Sequence, residues 1–296
     1  MECSPLLSVI IPTYQRNESL AQCLDYLAPG VQTLSPQQYE VIVTDDGTHT
    51  TAEAMVTEHY PWVKWVASGK GNPAANRNHG ASYAQGEWLV FTDDDCIPQL
   101  NWLQAYAEII RHLVRDGYNS EAIYQPSSST PLAFEGAIYP VGNLDQDLVE
   151  CPVNLNGGCF WSANIAIQRC LFEELGGFDA NYPLAAFEDQ DLKIRLEKRT
   201  KIVFVSQAIV KHPVRVVSLS KSLNRLPKLC LAYAYHMGKH RSNLGYENLL
   251  SLIIYQYKFH LQTLLSHLKR RAFSSSLVSL VMLIVGIPLV VVNLRD

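Results

Sequence analysis

Short apolar runs closed by polar turns alternate with longer amphipathic stretches over the first part of the chain. Leu7–Ile11 is a β-branched run closed by Pro12, so it reads as a strand. Glu18–Leu27 has helical spacing, with Asn17 as its candidate cap. Tyr39–Val43 reads as a strand ending in Asp45-Asp46-Gly47, Thr51–His59 as a helix and Val63–Ala67 as a strand. Pro73–Ala84 is helical with proline in its first turn, Trp88–Thr92 is a strand ending in three aspartates, and Leu100–Val114 is a long helix. Strands separated by helices imply a mainly parallel sheet with crossover helices. From Asn119 to Asn156, rich in Ser, Pro and Gly, no regular pattern emerges. It returns at Asn164–Gln168 (strand), Arg169–Leu175 (helix), Glu188–Lys198 (helix), Lys201–Val205 and Ala208–Val210 (strands), and turns helical from about Ser218.

Composition narrows the class. Of 296 residues, 48% are hydrophobic, enough for a sizeable core, and the net charge of −4 lacks the basic footprint of a nucleic-acid binder. Seven cysteines without a CxxC argue against a disulfide framework or zinc ribbon and favour a reducing compartment. The N-terminus has no basic segment before its short apolar run, so it is not read as a signal peptide.

In parallel sheets chemistry gathers beyond the C-terminal strand ends. Thr13–Arg16, Asp45-Asp46 and Asp93–Asp95 all fall there. A dinucleotide site is excluded in detail: the first strand runs into Pro12-Thr13-Tyr14 with no GxGxxG, and Gly69-Lys70-Gly71 reads as a loop. Three adjacent carboxylates repel one another unless a cation or well-placed donors offset the repulsion. Their oxygens suit Mg²⁺ or Mn²⁺ shared with phosphate; the alternative is a solvated turn capping the next helix, with Pro98 in its first turn. A second acidic cluster, Phe187-Glu-Asp-Gln-Asp191, opens a helix. There Glu188 and Asp189 face the positive helix end and can accept a proton, while Asp191 and Arg195 are spaced for a helix-surface ion pair.

These segments together resemble family 2 glycosyltransferases of the GT-A fold. The resemblance rests on Ser8-Val-Ile-Ile-Pro-Thr-Tyr-Gln-Arg16, Val43-Thr-Asp-Asp-Gly47, Ala75-Asn-Arg-Asn-His-Gly80, Phe91-Thr-Asp-Asp-Asp95, Asn164-Ile-Ala-Ile167, Gly176-Gly-Phe-Asp179 and Phe187-Glu-Asp-Gln-Asp191, in the family's order over residues 7–215. It implies a Rossmann-like sheet flanked by helices and an inverting sugar transfer from a nucleotide-diphosphate sugar, a UDP-sugar first. By position, Pro12, Thr13, Arg16, Asp46, Arg77, Asp93 and Asp94 would hold the donor nucleotide. Asp95 would hold a divalent cation (Mn²⁺ or Mg²⁺), and His212 matches a histidine that completes the metal shell; an ordinary strand-end histidine is the alternative. Asp189 would be the catalytic base. Trp161, Asn164 and Glu188 are candidate sugar or acceptor contacts, with core packing as the competing role for Trp161.

The chain departs from processive relatives, lacking Gln-x-x-Arg-Trp and a bundle of membrane helices. Two other readings remain at this point: a haloacid-dehalogenase-type phosphatase, which the residues after Asp95 fit poorly, and an inactive sugar-binding scaffold. Ala272–Leu294 carries no formal charge over 23 residues, about 35 Å of helix at ~1.5 Å per residue, enough to cross a bilayer. A buried or re-entrant helix is the alternative, because Gly286 and Pro288 interrupt it. The basic His267–Arg271 cluster keeps the preceding side in the cytosol, and Leu249–Leu265 reads as lying along the membrane surface. The expected layout is a catalytic domain over 1–217, an amphipathic region over 218–271 and a membrane-inserted helix over 272–294. It would act at the cytoplasmic membrane face on a glycan or lipid-linked acceptor, as in polysaccharide biosynthesis.

Overall fold

The computed structural model describes residues 4–115, 130–243, 245 and 248–294. Two compact units share the chain. The first takes Met1–Val141, Pro152–Ala180 and Leu192–Pro213; the second takes Gly142–Cys151, Asn181–Asp191 and Val214–Asp296.

The first unit is one eight-stranded sheet in the order β3-β2-β1-β4-β8-β6-β9-β5. Its strands are β1 (Leu7–Thr13), β2 (Tyr39–Asp45), β3 (Val63–Ala67), β4 (Trp88–Phe91), β5 (Ile97–Pro98), β6 (Ala133–Val141), β8 (Ile165–Gln168) and β9 (Ile202–Pro213). Parallel pairing joins β3, β2, β1 and β4, and also β6 to β9, while β8 and β5 run antiparallel to their neighbours. The sheet is therefore parallel in its first half and mixed beyond β4.

Side-chain alternation covers both faces. Val9 and Ile11 of β1, Val41 and Val43 of β2, and Trp88 and Val90 of β4 pack under α1 (Asn17–Leu27), α2 (Glu53–His59) and α4 (Trp102–Arg115). Ile10, Ile42, Leu89 and Phe91 point the other way, to α3 (Pro73–Ala81), α5 (Arg169–Glu174) and the Leu192 and Leu196 face of α6 (Glu188–Glu197).

Several boundaries differ from the sequence reading. Pro12 lies inside β1, which continues to Thr13. Asn17 is the first helical residue and not the cap: Arg16 occupies that position, and Asn17 Nδ2 donates to Thr51 O at 3.0 Å. The Asp93–Asp95 turn does not cap a helix through Pro98, because Ile97–Pro98 pairs with β9 and α4 starts only at Trp102. The segment without visible pattern contains β6 and β7 (Val149–Glu150), apart from its residues 119–129, which lie outside the described residues.

The second unit is mostly helical. Strand β7 pairs with β10 (Arg215–Val216), and α7 (Leu219–His240) and α8 (Leu249–Lys269) follow, capped by Ser218 and Asn248. The apolar C-terminal segment is α9 (Phe273–Val281), a π turn over Met282–Gly286, and α10 (Ile287–Asn293). The π turn falls where Pro288 has no N–H to donate, a common cause of a local change of helical ladder.

His236 of α7 is buried in this unit, its Nδ1 2.8 Å from Tyr182 Oη, with His240 ring-to-ring at 5.1 Å. Burial first, then the neighbouring His240, push its pKa down from 6.5 to about 4, against the opposing pull of Asp191; Lys239 adds to the depression. Between those values the unfolded chain binds the extra proton and the folded chain does not. Stability is therefore retained above pH 6.5 and falls as pH drops toward 4. Thermal melts across that range are expected to show a falling Tm, and His236→Asn is expected to flatten the slope.

Candidate active site

The C-terminal ends of the parallel neighbours β1 and β4 open on one edge of the sheet, and the three aspartates that follow β4 meet the turn that follows β1. Asp94 is fully buried, accepting from Thr13 Oγ1 at 2.8 Å and pairing with Arg16 at 2.5 Å. Asp95 pairs with the other guanidinium nitrogen of Arg16 at 3.3 Å, and Asp93 with Arg77 at 2.8 Å. Burial would raise the Asp93 carboxyl, but Arg77, His212 and Arg16 outweigh it and hold it below the usual carboxylate range. Gln15, at φ 52°, places a non-glycine residue in the left-handed region just before Arg16.

His212, near the end of β9, closes the cluster. Its Nε2 lies 3.4 Å from Asp95 Oδ1 and 4.0 Å from Asp93 Oδ2, and its Nδ1 lies 2.9 Å from the Pro213 carbonyl oxygen. A carbonyl only accepts, so Nδ1 carries a proton, and Nε2 is the ring nitrogen that faces the two carboxylates. An imidazole lone pair with two carboxylates is a donor set that fits Mg²⁺ or Mn²⁺. Cys96, absent from the sequence-based candidates, lies in the same cluster. Burial, reinforced by the Asp93 charge, pushes its thiol well up, and its Sγ faces Ala163 O at 3.8 Å.

Helix α3 explains the Asn-Arg-Asn-His-Gly segment residue by residue. Asn76 accepts from Thr44 Oγ1 at 2.7 Å and donates to Thr44 O at 3.0 Å, fixing the helix to β2. Asn78 donates to Phe178 O at 2.7 Å and accepts from Phe178 N at 2.9 Å. Gly80 permits the close approach: a Cβ there would lie 2.8 Å from Ile10 Cγ2. Arg77, between the two asparagines, is thereby aimed at Asp93. Asp46 is buried, accepting from Lys70 N at 2.6 Å, while Asp45 closes its own turn through Gly47 N, Ala52 N and Trp65 Nε1.

Asn164 is placed differently from its sequence-based role. It is buried, and its amide is spent inside the fold. Oδ1 accepts from Trp102 Nε1 and Tyr106 Oη, both at 2.8 Å, and Nδ2 donates to Ala137 O at 2.9 Å and Ala208 O at 2.8 Å. It ties α4, β6 and β9 to the start of β8. Asn164→Ala is expected to cost about 3 kcal/mol or more in unfolding free energy, since buried groups lose their partners at ~1–3 kcal/mol each; denaturant titration measures it. Trp161 is half-buried against the core, the packing role. Glu135, within the segment that showed no pattern, is buried and accepts from Asn154 Nδ2, Gly158 N and Phe160 N at 2.5–2.9 Å, shaping the loop before Trp161.

In the second unit, Phe187 enters the first turn of α6 at φ 72°, a strained conformation for a bulky residue. Its ring stacks on His236 at 5.3 Å and packs on Tyr233 at 5.6 Å. Glu188 and Asp189 follow, both largely buried, and Asp189 Oδ1 accepts from Gln190 N at 2.8 Å. Asp191 is not on the helix surface. It is fully buried, with Lys239 Nζ at 2.6 Å and His240 Nε2 at 2.7 Å, while Arg195 donates to Leu175 O and Gly177 O.

The sequence model of glycosyl transferase family 2 matches residues 8–133, the stretch that carries Thr13, Arg16, Asp46, Arg77 and the three aspartates. Residues 8–133 thus carry the sequence pattern of glycosyltransferase family 2. The chain is similar to an uncharacterized glycosyltransferase of Haemophilus influenzae, 27% identical over 64% of this chain and 62% of that protein. Another is validoxylamine A glucosyltransferase of Streptomyces hygroscopicus subsp. limoneus, 28% identical over 65% of this chain and 48% of that protein. The chain thus spans less than two thirds of either. Among solved structures, the mannosyltransferase PcManGT from Pyrobaculum calidifontis, in complex with GDP-Man and Mn²⁺, superposes with a TM-score of 0.54 at 17% identity, covering 81% of this chain and 65% of that one. S. aureus TarS (1–349) in complex with UDP-GlcNAc gives 0.53 at 17% identity, over 93% and 90%. At this identity the likeness shows the fold, which is GT-A. The family 2 match stops at residue 133, ahead of Asp189 and His212.

Proposed function

We propose that this chain transfers a sugar, with inversion, from a nucleoside-diphosphate sugar to a hydroxyl of a glycan or lipid-linked acceptor, aided by a divalent cation. One observation carries the reading: Asp93, Asp95 and His212 converge beside Arg16 and Arg77 at the end of β4, a cluster of acceptors flanked by guanidinium groups. UDP-GlcNAc in one structural neighbour and GDP-Man with Mn²⁺ in another support a nucleotide-sugar donor, and a UDP-sugar is the first choice. A cation held by Asp95 and His212, with Asp93 beside it, would offset the charge that develops on the departing diphosphate.

The chain's own groups do the rest. Thr13 and Arg16 fix Asp94, and through it the turn that presents Asp93 and Asp95. Arg77 keeps Asp93 ionised. Asp46 and Pro12 form the base side of the donor pocket. Asp189 takes the proton from the acceptor hydroxyl as its oxygen attacks the anomeric carbon, and Glu188 beside it faces the acceptor. A single base with no second nucleophilic carboxylate gives one displacement and inversion. Neither the phosphatase nor the scaffold reading gains support from the comparisons. Relatives named for amylovoran biosynthesis and poly(ribitol-phosphate) glucosyl transfer support action near a membrane, and the proposal puts it at the cytoplasmic face.

The test is a panel of nucleotide sugars with Mn²⁺ or Mg²⁺ and a chelator control. Transfer that the chelator abolishes is expected, and proton NMR of the early product is expected to show the anomeric coupling opposite to the donor's. Retention, or undiminished transfer in chelator, contradicts the proposal.

A further inference from the structure

The second unit leaves two apolar stripes uncovered. Leu250, Ile254, Leu261 and Leu265 recur along α8 at helical spacing and are each at least 46% exposed. Phe273, Leu277, Leu280 and Ile284 do the same on the following segment, Phe273 at 75% and Ile284 at 65%. So much clustered apolar surface marks an interaction site.

The other side of Phe273–Asn293 is occupied. Met282, Ile287 and Val290 are buried, Met282 Sδ lies 3.6 Å from Cys230 Sγ on α7, and Ser279 Oγ lies 3.0 Å from His267 Nδ1 on α8. The start of α9 is tied down as well: Asp147 accepts from Ser274 N at 2.8 Å, from Ser275 N at 2.9 Å and from the Ser275 hydroxyl. The helices it packs on carry Lys221, Arg225, Lys228 and Lys239 on α7 and Lys258 and Lys269 on α8. Such helices do not cross ~30 Å of hydrocarbon. For the segment to span a bilayer it would have to leave them.

Charge indicates what covers the stripes. The whole chain carries −4, yet residues 214–296 hold eleven Lys and Arg against two Asp and Glu, a net of +9. Residues 248–294 hold Lys258, Lys269, Arg270 and Arg271 and no acidic side chain, and all four cations are exposed. A second copy of this face would set like charges together, whereas anionic headgroups neutralise them.

We infer that the stripes on α8 and α9–α10 form a membrane-surface docking face that beds the C-terminal unit in the plane of an anionic bilayer, with Phe273–Asn293 lying in the interface instead of spanning it. Apolar side chains enter the acyl boundary while the cations at the α8–α9 turn meet the headgroups. The inference is independent of the transferase reading, and its test uses no sugar nucleotide.

The full chain is floated with phosphatidylcholine vesicles, with and without phosphatidylglycerol. Binding is expected with the anionic vesicles and is expected to fall with salt. The triple change Lys269→Gln, Arg270→Gln and Arg271→Gln should weaken it roughly a hundredfold, about fivefold per cation. Leu261→Asp with Ile284→Asp should abolish it with no change in melting, because both side chains are exposed. A C-terminal tag on vesicle-bound protein should be cut by protease added outside. Binding equal on neutral vesicles, or untouched by either variant, overturns the inference. A protected tag does so in favour of a span. A lipid-free dimer dispersed by Leu261→Asp with Ile284→Asp, without vesicle binding, does so in favour of a second copy.

Discussion

Asp95→Ala is expected to abolish sugar transfer and cation-dependent nucleotide binding while leaving the fold in place. Asp95 is the carboxylate nearest His212, at 3.4 Å, so its loss removes the oxygen donor that faces the imidazole Nε2. The local scaffold does not depend on it. Arg16 keeps its 2.5 Å pair with Asp94, which Thr13 also holds, and Arg77 keeps Asp93. Deleting one preorganised electrostatic group in an active site typically costs ~10²–10³ in rate, and losing the cation with it raises the expected loss above ~10³-fold. The check pairs initial rates at saturating donor with titration of Mn²⁺-dependent nucleotide binding and a thermal melt. A melt within a few degrees of wild type, with both activities gone, is the expected result. Activity near wild type contradicts the assignment of Asp95.

Much of this site was legible in the sequence because its geometry is local. Strands β1, β2 and β4 end at or just before Thr13, Asp46 and Asp93–Asp95, and so deliver polar side chains to one sheet edge by topology alone. What escaped depends on distant partners. Strand β6 reads as irregular because Glu135 and Gly136 interrupt its apolar run, yet both serve long-range contacts. Glu135 orders the 154–160 loop, and Gly136 leaves room for the Asn164 amide that a Cβ would strike. Strand β9 reads as two pieces because its pairing with β6 shifts register opposite Gly136/Ala137. Asn164 carries a polar side chain beside a tryptophan and so looks like a ligand contact; nothing nearby in the chain shows that Trp102 and Tyr106 claim it. Asp191 is the same case, since helical spacing points to Arg195 while the partners that bury it come from α7.

Asp189→Asn and Asp191→Asn should therefore fail in different ways. At Asp189 the amide keeps the shape and can still accept from Gln190 N, but it takes no proton at neutral pH. Loss of a general base typically lowers the rate ~10²–10⁴-fold, so kcat is expected to fall by that much with donor KM and melting temperature little changed. At Asp191 the change leaves His240, which is buried, and Lys239, which is one-third exposed, without their shared anion. Hydrogen bonds to a charged group are worth ~1.5–3 kcal/mol, and Lys239 recovers part of that by turning to solvent. The expected loss is about 2 kcal/mol of stability, with a smaller effect on rate that follows from loosening the turn carrying Asp189. Parallel measurement of kcat and of denaturant midpoint in the two variants separates the roles. A stable, inactive Asp191→Asn beside an active Asp189→Asn would transfer the catalytic role to Asp191, and would make Lys239 and His240 partners of the base instead of anchors of its helix.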